Sequence, residues 1–386
     1  MKRPVYLDYQ ASTPLDPRVF EAMRPLLEEG FGNPHSEHAH GWEAAQAIEQ
    51  AASEIAELIG AAPGEIVFTS GATEANNLAL QGMARSARRN GDHIVVSAIE
   101  HKCVLATASW LERQGFRIDV IPVRPDGLIN LDALAGALAE DTALVSVMLA
   151  NNEIGVIQPV AEIGALCRER GIPFHTDAAQ AAGKIPVDVH AQRIDMLSLS
   201  GHKLYGPKGI GALYVARPLA PILEPLIIGG AQQGGLRAGT VPPFLCAGLG
   251  AACRIAAQEM ERDRVHCLAL RTAFLEILRA QIPDIVLNGD FERRLPGNLN
   301  IRFPGVAADS LLTALHRQIS ASTGSACNAG LIEPSYVLRA LMLTNDEINS
   351  SVRFGFGREN TMEEIVWAAK TIADKAISLS EHLAVA

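Results

Sequence analysis

The strongest constraint on this chain is a rhythm. Between residues 40 and about 216, amphipathic stretches alternate with short, nearly continuous apolar runs. "HGWEAAQAIEQAASEIAELIG" (40–60) sets Trp42, Ala45, Ile48, Ala52, Ile55, Leu58 and Ile59 at helical spacing. "EIVFTS" then reads as a strand and "TEANNLALQGMARSARR" as a helix. "HIVVSAIE", "RIDVIPV", "TALVSVMLA", "IPFHTDAA", "DMLSLSGHK" and "GIGALYVA" read as six more strands. "KCVLATASWLERQG", "LDALAGALAE" and "PVAEIGALCRERG" are the helices among them. Strands apolar on both faces and separated by helices form a mainly parallel sheet with helices on each side. The predicted class is α/β, with a seven-stranded sheet.

From about residue 260 the rhythm changes. A long helix ("HCLALRTAFLEILRAQI") precedes strands "DIVLNG" and "NLNIRF", helices near 307–317 and 334–342, strand "SSVRFGFG" and a C-terminal helix. That order predicts a smaller α+β domain. The expected division is a large domain over 16–258, with 1–15 and 259–386 making the small one. The N-terminal "YLDYQASTP" is expected to run over or beside it.

Charge and composition exclude several functions. A net charge of −10 argues against direct nucleic-acid binding, which needs clustered Lys and Arg. The longest apolar runs, such as "ALVSVMLA", are too short to span a bilayer. The first residues show no secretory pattern, so a cytoplasmic location is expected. Six scattered cysteines show neither a CxxC pair nor zinc spacing. Five of them (103, 167, 246, 253, 267) read as small hydrophobes in or near cores.

Ligands of such sheets sit at the carboxyl ends of the parallel strands, and polar residues gather there. "FTSGATEANN" (68–77) is a strand, a glycine turn and a helix start, where backbone N–H groups and Thr73 can hold a phosphate. Alone, it is also an ordinary turn, and it lacks the P-loop lysine and the GxGxxG spacing that ATP and NAD require. "SAIEHKCVL" (97–105) ends a strand in Glu100 and His101, and a strand-end histidine is as readily a surface residue. "FHTDAAQAAG" (174–183) ends one in Asp177, with Gln180 three residues on; Asp177 alone reads equally as a helix cap.

"SLSGHKLYGPKGIGAL" (198–213) says most. It sets Lys203 at a strand end before a Gly/Pro-rich turn. An amine buried there loses basicity and becomes a Schiff-base nucleophile. Such a lysine, a carboxylate 26 residues before it and a phosphate-binding turn together meet the needs of pyridoxal 5′-phosphate, PLP. "ASTGSACNAGLIEP" (321–334) adds Cys327 among small residues, with Gly324 and Gly330 able to bend the backbone. By itself Cys327 is loop filler, a ligand or a nucleophile.

Taken together, "HTDAAQ", "SLSGHKLYGPKG", "FTSGATEANN", "RAGT" and "GSAC…EPSYVLRA" resemble the cysteine desulfurases of the NifS/IscS type. The resemblance runs from "YLDYQASTP" to "SSVRFGFGREN", nearly the whole chain. It implies the aspartate-aminotransferase-like fold of type I PLP enzymes, and a homodimer. It implies that Lys203 holds PLP and moves protons, that Asp177 pairs with the pyridine nitrogen, and that His101, a catalytic residue, stacks on the ring and shuttles protons. Gln180 would bond the phenolic oxygen. Ala72, Thr73, Ser200 and His202 would form the phosphate cup, with Thr240 reaching a phosphate across the dimer. Asn152 and Arg353 would hold the substrate α-carboxylate, which suits a guanidinium fork.

The implied reaction converts L-cysteine to L-alanine and leaves the sulfur as a persulfide on Cys327. An acceptor or scaffold protein would then take it for iron–sulfur clusters or other thio-compounds. The alternatives are a selenocysteine lyase or another class V aminotransferase-like enzyme, which keep Lys203 and Asp177 but need no persulfide. No metal is implied. The chain departs from the pattern at Gln233 and Gly234, which stand where relatives carry Glu and Arg. Its tail "AISLSEHLAVA" does not resemble the scaffold-docking extension of cluster-assembly members.

Overall fold

The computed structural model describes residues 3–87, 89–324 and 334–385, with side chains as far as residue 381. The chain opens with a short strand, β1 (Val5–Tyr6), and two helices, α1 (Pro17–Glu28) and α2 (Ala39–Ile59). Strand and helix then alternate: β2 (Ile66–Thr69), α3 (Ala72–Arg85), β3 (His93–Ser97), α4 (Lys102–Arg113) and β4 (Arg117–Ile121). After α5 (Leu131–Ala137) come β5 (Thr142–Ser146), α6 (Val160–Glu169), β6 (Phe174–Asp177), β7 (Met196–Ser200) and β8 (Gly211–Val215).

The large sheet has seven strands in the order β2-β8-β7-β6-β5-β3-β4. All run parallel except β8, which is antiparallel to both neighbours. Strands β2, β3 and β5 to β8 are buried along their whole length, as continuous apolar runs require. The outer strand β4 carries Arg117 and Asp119; charges on an edge discourage pairing with another chain.

The second unit is built on α7 (Pro243–Gln281) and continues with β9 (Val286–Leu287), β10 (Asn298–Arg302), α8 (Ala308–Leu315) and β11 (Ile319–Ser320). It closes with α9 (Tyr336–Ala340), α10 (Asn345–Asn349), β12 (Ser351–Gly355) and α11 (Met362–Val385). Strands β12, β10 and β9 form an antiparallel sheet, and β1 pairs with β11. Its core stacks Phe274, Phe303, Phe354 and Phe356 against Ile365 and Ile372 of α11.

Two local expectations fail for packing reasons. Helix α7 begins at Pro243, well before the amphipathic stretch at His266, and passes residues 258 and 259 unbroken. Its first half has no polar stripe to read because Cys246, Leu249, Ala251 and Cys253 are all buried. Second, Trp42 is 64% exposed. The buried stripe of α2 is Ala44, Ala51, Ala52, Ile55 and Ile59. At Gly250 of α7 an added Cβ would come within 2.6 Å of the Ala51 Cα, so this contact admits only small residues.

Asp16 joins the two units. Its Oδ1 caps α1 by accepting from Arg18 N at 2.9 Å, and its Oδ2 pairs with Arg358 Nη1 at 2.9 Å. Hydrogen bonds from Arg18, with Arg358 adding charge, hold the Asp16 carboxyl down at about 2. A carboxyl lowered on folding stabilises the protein above its unfolded value of about 3.9, and that contribution fades as pH falls towards 2. The expected loss is on the order of 2 kcal/mol. Melting temperatures of wild type and Asp16→Asn between pH 5 and 2 should therefore converge on acidification. A constant difference would contradict this.

Candidate active site

A cavity of about 630 Å³ lies at the carboxyl ends of the parallel strands, where such sheets place their ligands. The turn after β2 brings Ala72 and Thr73, and the end of β3 brings His101. The segment beyond β5 brings Asn152; the end of β6 brings Asp177 and, one turn on, Gln180. Ser200 ends β7, and the 3-10 turn after it carries His202 and Lys203. From the second unit, β12 contributes Arg353, and Gly324 reaches the same cavity. Cys327 lies outside the described residues. Thr240 is exposed and is not part of the lining in the single chain.

Lys203 Nζ donates to the carbonyl oxygens of Gln10 (2.5 Å) and Ala11 (2.9 Å). The N-terminal segment thus does more than flank the small domain: it forms one wall of the cavity. Gln180 Nε2 donates to the same Gln10 carbonyl at 2.9 Å, and Gln180 Oε1 accepts from Lys184 Nζ at 3.2 Å. Asp177 is buried; Asn76 Nδ2 donates to its Oδ2 at 2.6 Å and Ala179 N to its Oδ1 at 2.9 Å.

The phosphate turn depends on glycine. Gly71 has φ +147°, and an added Cβ at Gly211 of β8 would come within 2.7 Å of the Gly71 Cα. A residue with a side chain at Gly211 would push the turn off the sheet. Helix α3, opening at Ala72, has no side-chain cap at Gly71, so its first N–H groups are left to a ligand. Glu74 ties the turn down, accepting from Ser70 N at 2.7 Å and from Arg237 Nε at 2.9 Å. Gln233, at the departure from the family pattern, holds the edge strand β2. Its Oε1 accepts from Phe68 N at 2.6 Å and its Nε2 donates to Phe68 O at 3.0 Å.

Arg353 is nearly buried. Its Nη2 pairs with Asp8 Oδ1 at 2.7 Å and its Nη1 donates to Asn152 O at 3.0 Å. A guanidinium has five N–H groups, so others remain for a ligand. Burial lowers the His101 ring from its ordinary value, with Lys203 and Lys102 adding and Asp177 opposing. Burial likewise lowers His202 to about 4, helped by Lys203 and Lys208. Both imidazoles are therefore neutral at physiological pH. Glu100 is fully buried; its carboxyl is pushed well above its usual range by burial despite the bond from Met148 N at 2.6 Å, and Asp177 adds to the shift.

Sequence reasoning missed Gln10, Asn76, Asp8 and Lys184. Asn76 stands one helical turn after Thr73, and that spacing was the available signal. Cys167, Cys246, Cys253 and Cys267 are buried and Cys103 packs, partly buried, against a core as expected, but Cys103 also lines the cavity.

Comparison with known proteins agrees with this geometry. The aminotransferase class-V family profile matches residues 5–366. A cysteine desulfurase IscS from Rickettsia bellii is 50% identical, across 98% of this chain and 92% of the relative. The chain belongs to the class-V aminotransferase family. It is similar to a solved NifS-like protein, with TM-score 0.89 and 34% identity over 97% of this chain and 99% of that one. A structure of SspA in complex with cysteine matches at TM-score 0.81 and 40% identity, over 91% of this chain and 98% of that one.

Class-V aminotransferases are PLP enzymes, and the residues present fit that group. The cavity joins a primary amine, a buried carboxylate and an uncapped helix N-terminus beside Thr73, Ser200 and His202. Gln10 Oε1 and Asn152 Oδ1, on residues that line it, are buried without a protein partner. Among the described residues, no group of three His, Cys, Asp or Glu side chains is placed to hold a metal ion, and no helix is long and apolar enough to cross a membrane.

Proposed function

We propose that this chain is a cysteine desulfurase, converting L-cysteine to L-alanine and taking the sulfur as a persulfide on Cys327. The observation that carries this reading is the convergence of three parts in one cavity. They are the Lys203–Asp177 pair beside the phosphate turn, the Asn152–Arg353 clamp, and Gly324, three residues before Cys327.

Lys203 would hold the cofactor through Nζ, and Asp177 would pair with its ring nitrogen. Gln180 would meet its phenolic oxygen and His101 its ring face. Ala72, Thr73, Ser200 and His202 would hold its phosphate, and Thr240 would serve the phosphate of a second copy. When bound, the cofactor supplies an electron sink for negative charge developing at the substrate Cα. Arg353 and Asn152 orient the substrate by its α-carboxylate. Lys203 Nζ takes the Cα proton. Cys327 Sγ, as the thiolate, attacks the substrate sulfur: an S–S bond forms, the Cβ–S bond breaks with its electron pair left on carbon, and the carbon skeleton takes up one proton at Cβ and regains from Lys203 the proton at Cα to become alanine. An acceptor or scaffold protein then removes the persulfide sulfur.

Another feature supports the cellular setting. The described cysteines are all free thiols, in keeping with the cytoplasm.

The test is stoichiometric. PLP-loaded protein given L-cysteine and a thiol reductant should release alanine and sulfide in equal amounts. Without reductant, mass spectrometry should find one extra sulfur atom on the peptide holding Cys327. Alanine formed with no sulfur ever on that peptide would assign the chain to the lyase or aminotransferase alternative.

A further inference from the structure

Cys103 stands in the cavity wall where several of the site's groups meet. Its Sγ lies 3.0 Å from His101 Nδ1 and accepts from Asn76 Nδ2 at 3.2 Å. Thr73 hydrogen-bonds to it as well. Asn76 Nδ2 gives its other hydrogen to Asp177 Oδ2 at 2.6 Å. The contacts around the ring settle where the protons sit. His101 Nδ1 caps α4 by accepting from Cys103 N at 3.3 Å, so it is an acceptor and the neighbouring thiol must be a donor. Burial, then the charge of Asp177, push the Cys103 thiol up to about 12, and it therefore keeps its proton at neutral pH. A neutral imidazole with an accepting Nδ1 carries its one proton on Nε2.

We propose that Cys103 is a positioning residue whose thiol donates to His101 Nδ1 and fixes the ring with its proton on Nε2. The same sulfur connects that ring through Asn76 to Asp177 and through Thr73 to the phosphate turn. The single thiol thus sets the ring of His101 in register with the groups that would hold the cofactor's nitrogen and phosphate. Its consequence for turnover rests on the reading of the chain as a desulfurase in which His101 touches the cofactor; the tautomer itself does not.

Nitrogen NMR of the PLP-loaded protein, grown with ¹⁵N-histidine and assigned with His101→Gln, tests this directly. Wild type should show a bare Nδ1 and a protonated Nε2 at neutral pH. The charged groups facing the ring are Asp177 from the end of β6, Lys203 from the turn after β7 and Lys102 from α4; the Cys103 variants leave all three in place. Cys103→Ala removes a donor that favours the neutral ring, so the ring pKa should rise by roughly half a unit to one unit. Cys103→Ser, whose hydroxyl can donate, should restore the wild-type pattern. A proton on Nδ1 in wild type, or an unchanged ring pKa in folded Cys103→Ala, overturns the proposal. If the alanine variant does not fold, the wild-type spectrum and the serine variant decide it. Failure of the desulfurase reading would show separately, as absence of alanine and sulfide while the nitrogen pattern holds.

Discussion

Lys203→Ala should lower alanine production from L-cysteine by a factor on the order of 10³. Two roles fall on one nitrogen in this site. On the proposed reading, Nζ is the primary amine that would hold the cofactor, and it is also the base that would move the Cα proton. Loss of a positioned general base alone costs about 10²–10⁴-fold. The anchor role has its own readout: borohydride treatment of the wild type should fix the cofactor to the peptide containing Lys203, and the variant should retain none after denaturation. The fold should survive. The Lys203 side chain sits in a 3-10 turn at the cavity wall, bonded to two backbone carbonyls, and is not a core residue. Turnover within tenfold of wild type would mean that another group carries the proton.

Cys327→Ala is expected to reduce sulfide release to the rate of PLP free in solution while leaving the cofactor in place. The reason is chemical balance. Breaking the substrate C–S bond by attack on sulfur needs a thiolate acceptor, and Cys103, the described thiol that lines the cavity, cannot serve. Cys103 is held near 12 by burial and its proton is engaged with His101. The variant should still show a cysteine-dependent change in cofactor absorbance, because Arg353, Asn152 and Lys203 are untouched. Full sulfide release in the variant would remove the persulfide from the mechanism and favour the lyase reading.

The two substitutions also separate what was legible in the chain from what was not. Lys203, Asp177, Ser200 and His101 could be found because each follows a buried apolar run of a parallel sheet, where the order of elements alone places residues at one sheet end. The reading of Lys203 as an amine for PLP also drew on Asp177 and on the distant turn at 68–77, each legible from its own strand-end motif. Asn76 and Cys103 were harder. Each sits early in a helix behind a named residue, and their chemistry appears only where α3 and α4 bring them together over Asp177. Gln10 gave no signal, since its part in the site is a backbone carbonyl reached by Lys203 and Gln180. Trp42 matched a helical stripe, yet close α2–α7 packing selected alanines in its place.

The sequence by itself determined the α/β alternation, the polar residues at strand ends and the family to which they point. These follow from local periodicity and from side-chain chemistry at turns. Tertiary structure alone decided which wall the N-terminal segment forms, that Asp8 and Asn152 share Arg353, and that Cys103 belongs to the site. Those contacts join residues far apart in the chain, and no spacing along a sequence encodes the distance between two elements until the sheet and its crossovers have fixed it.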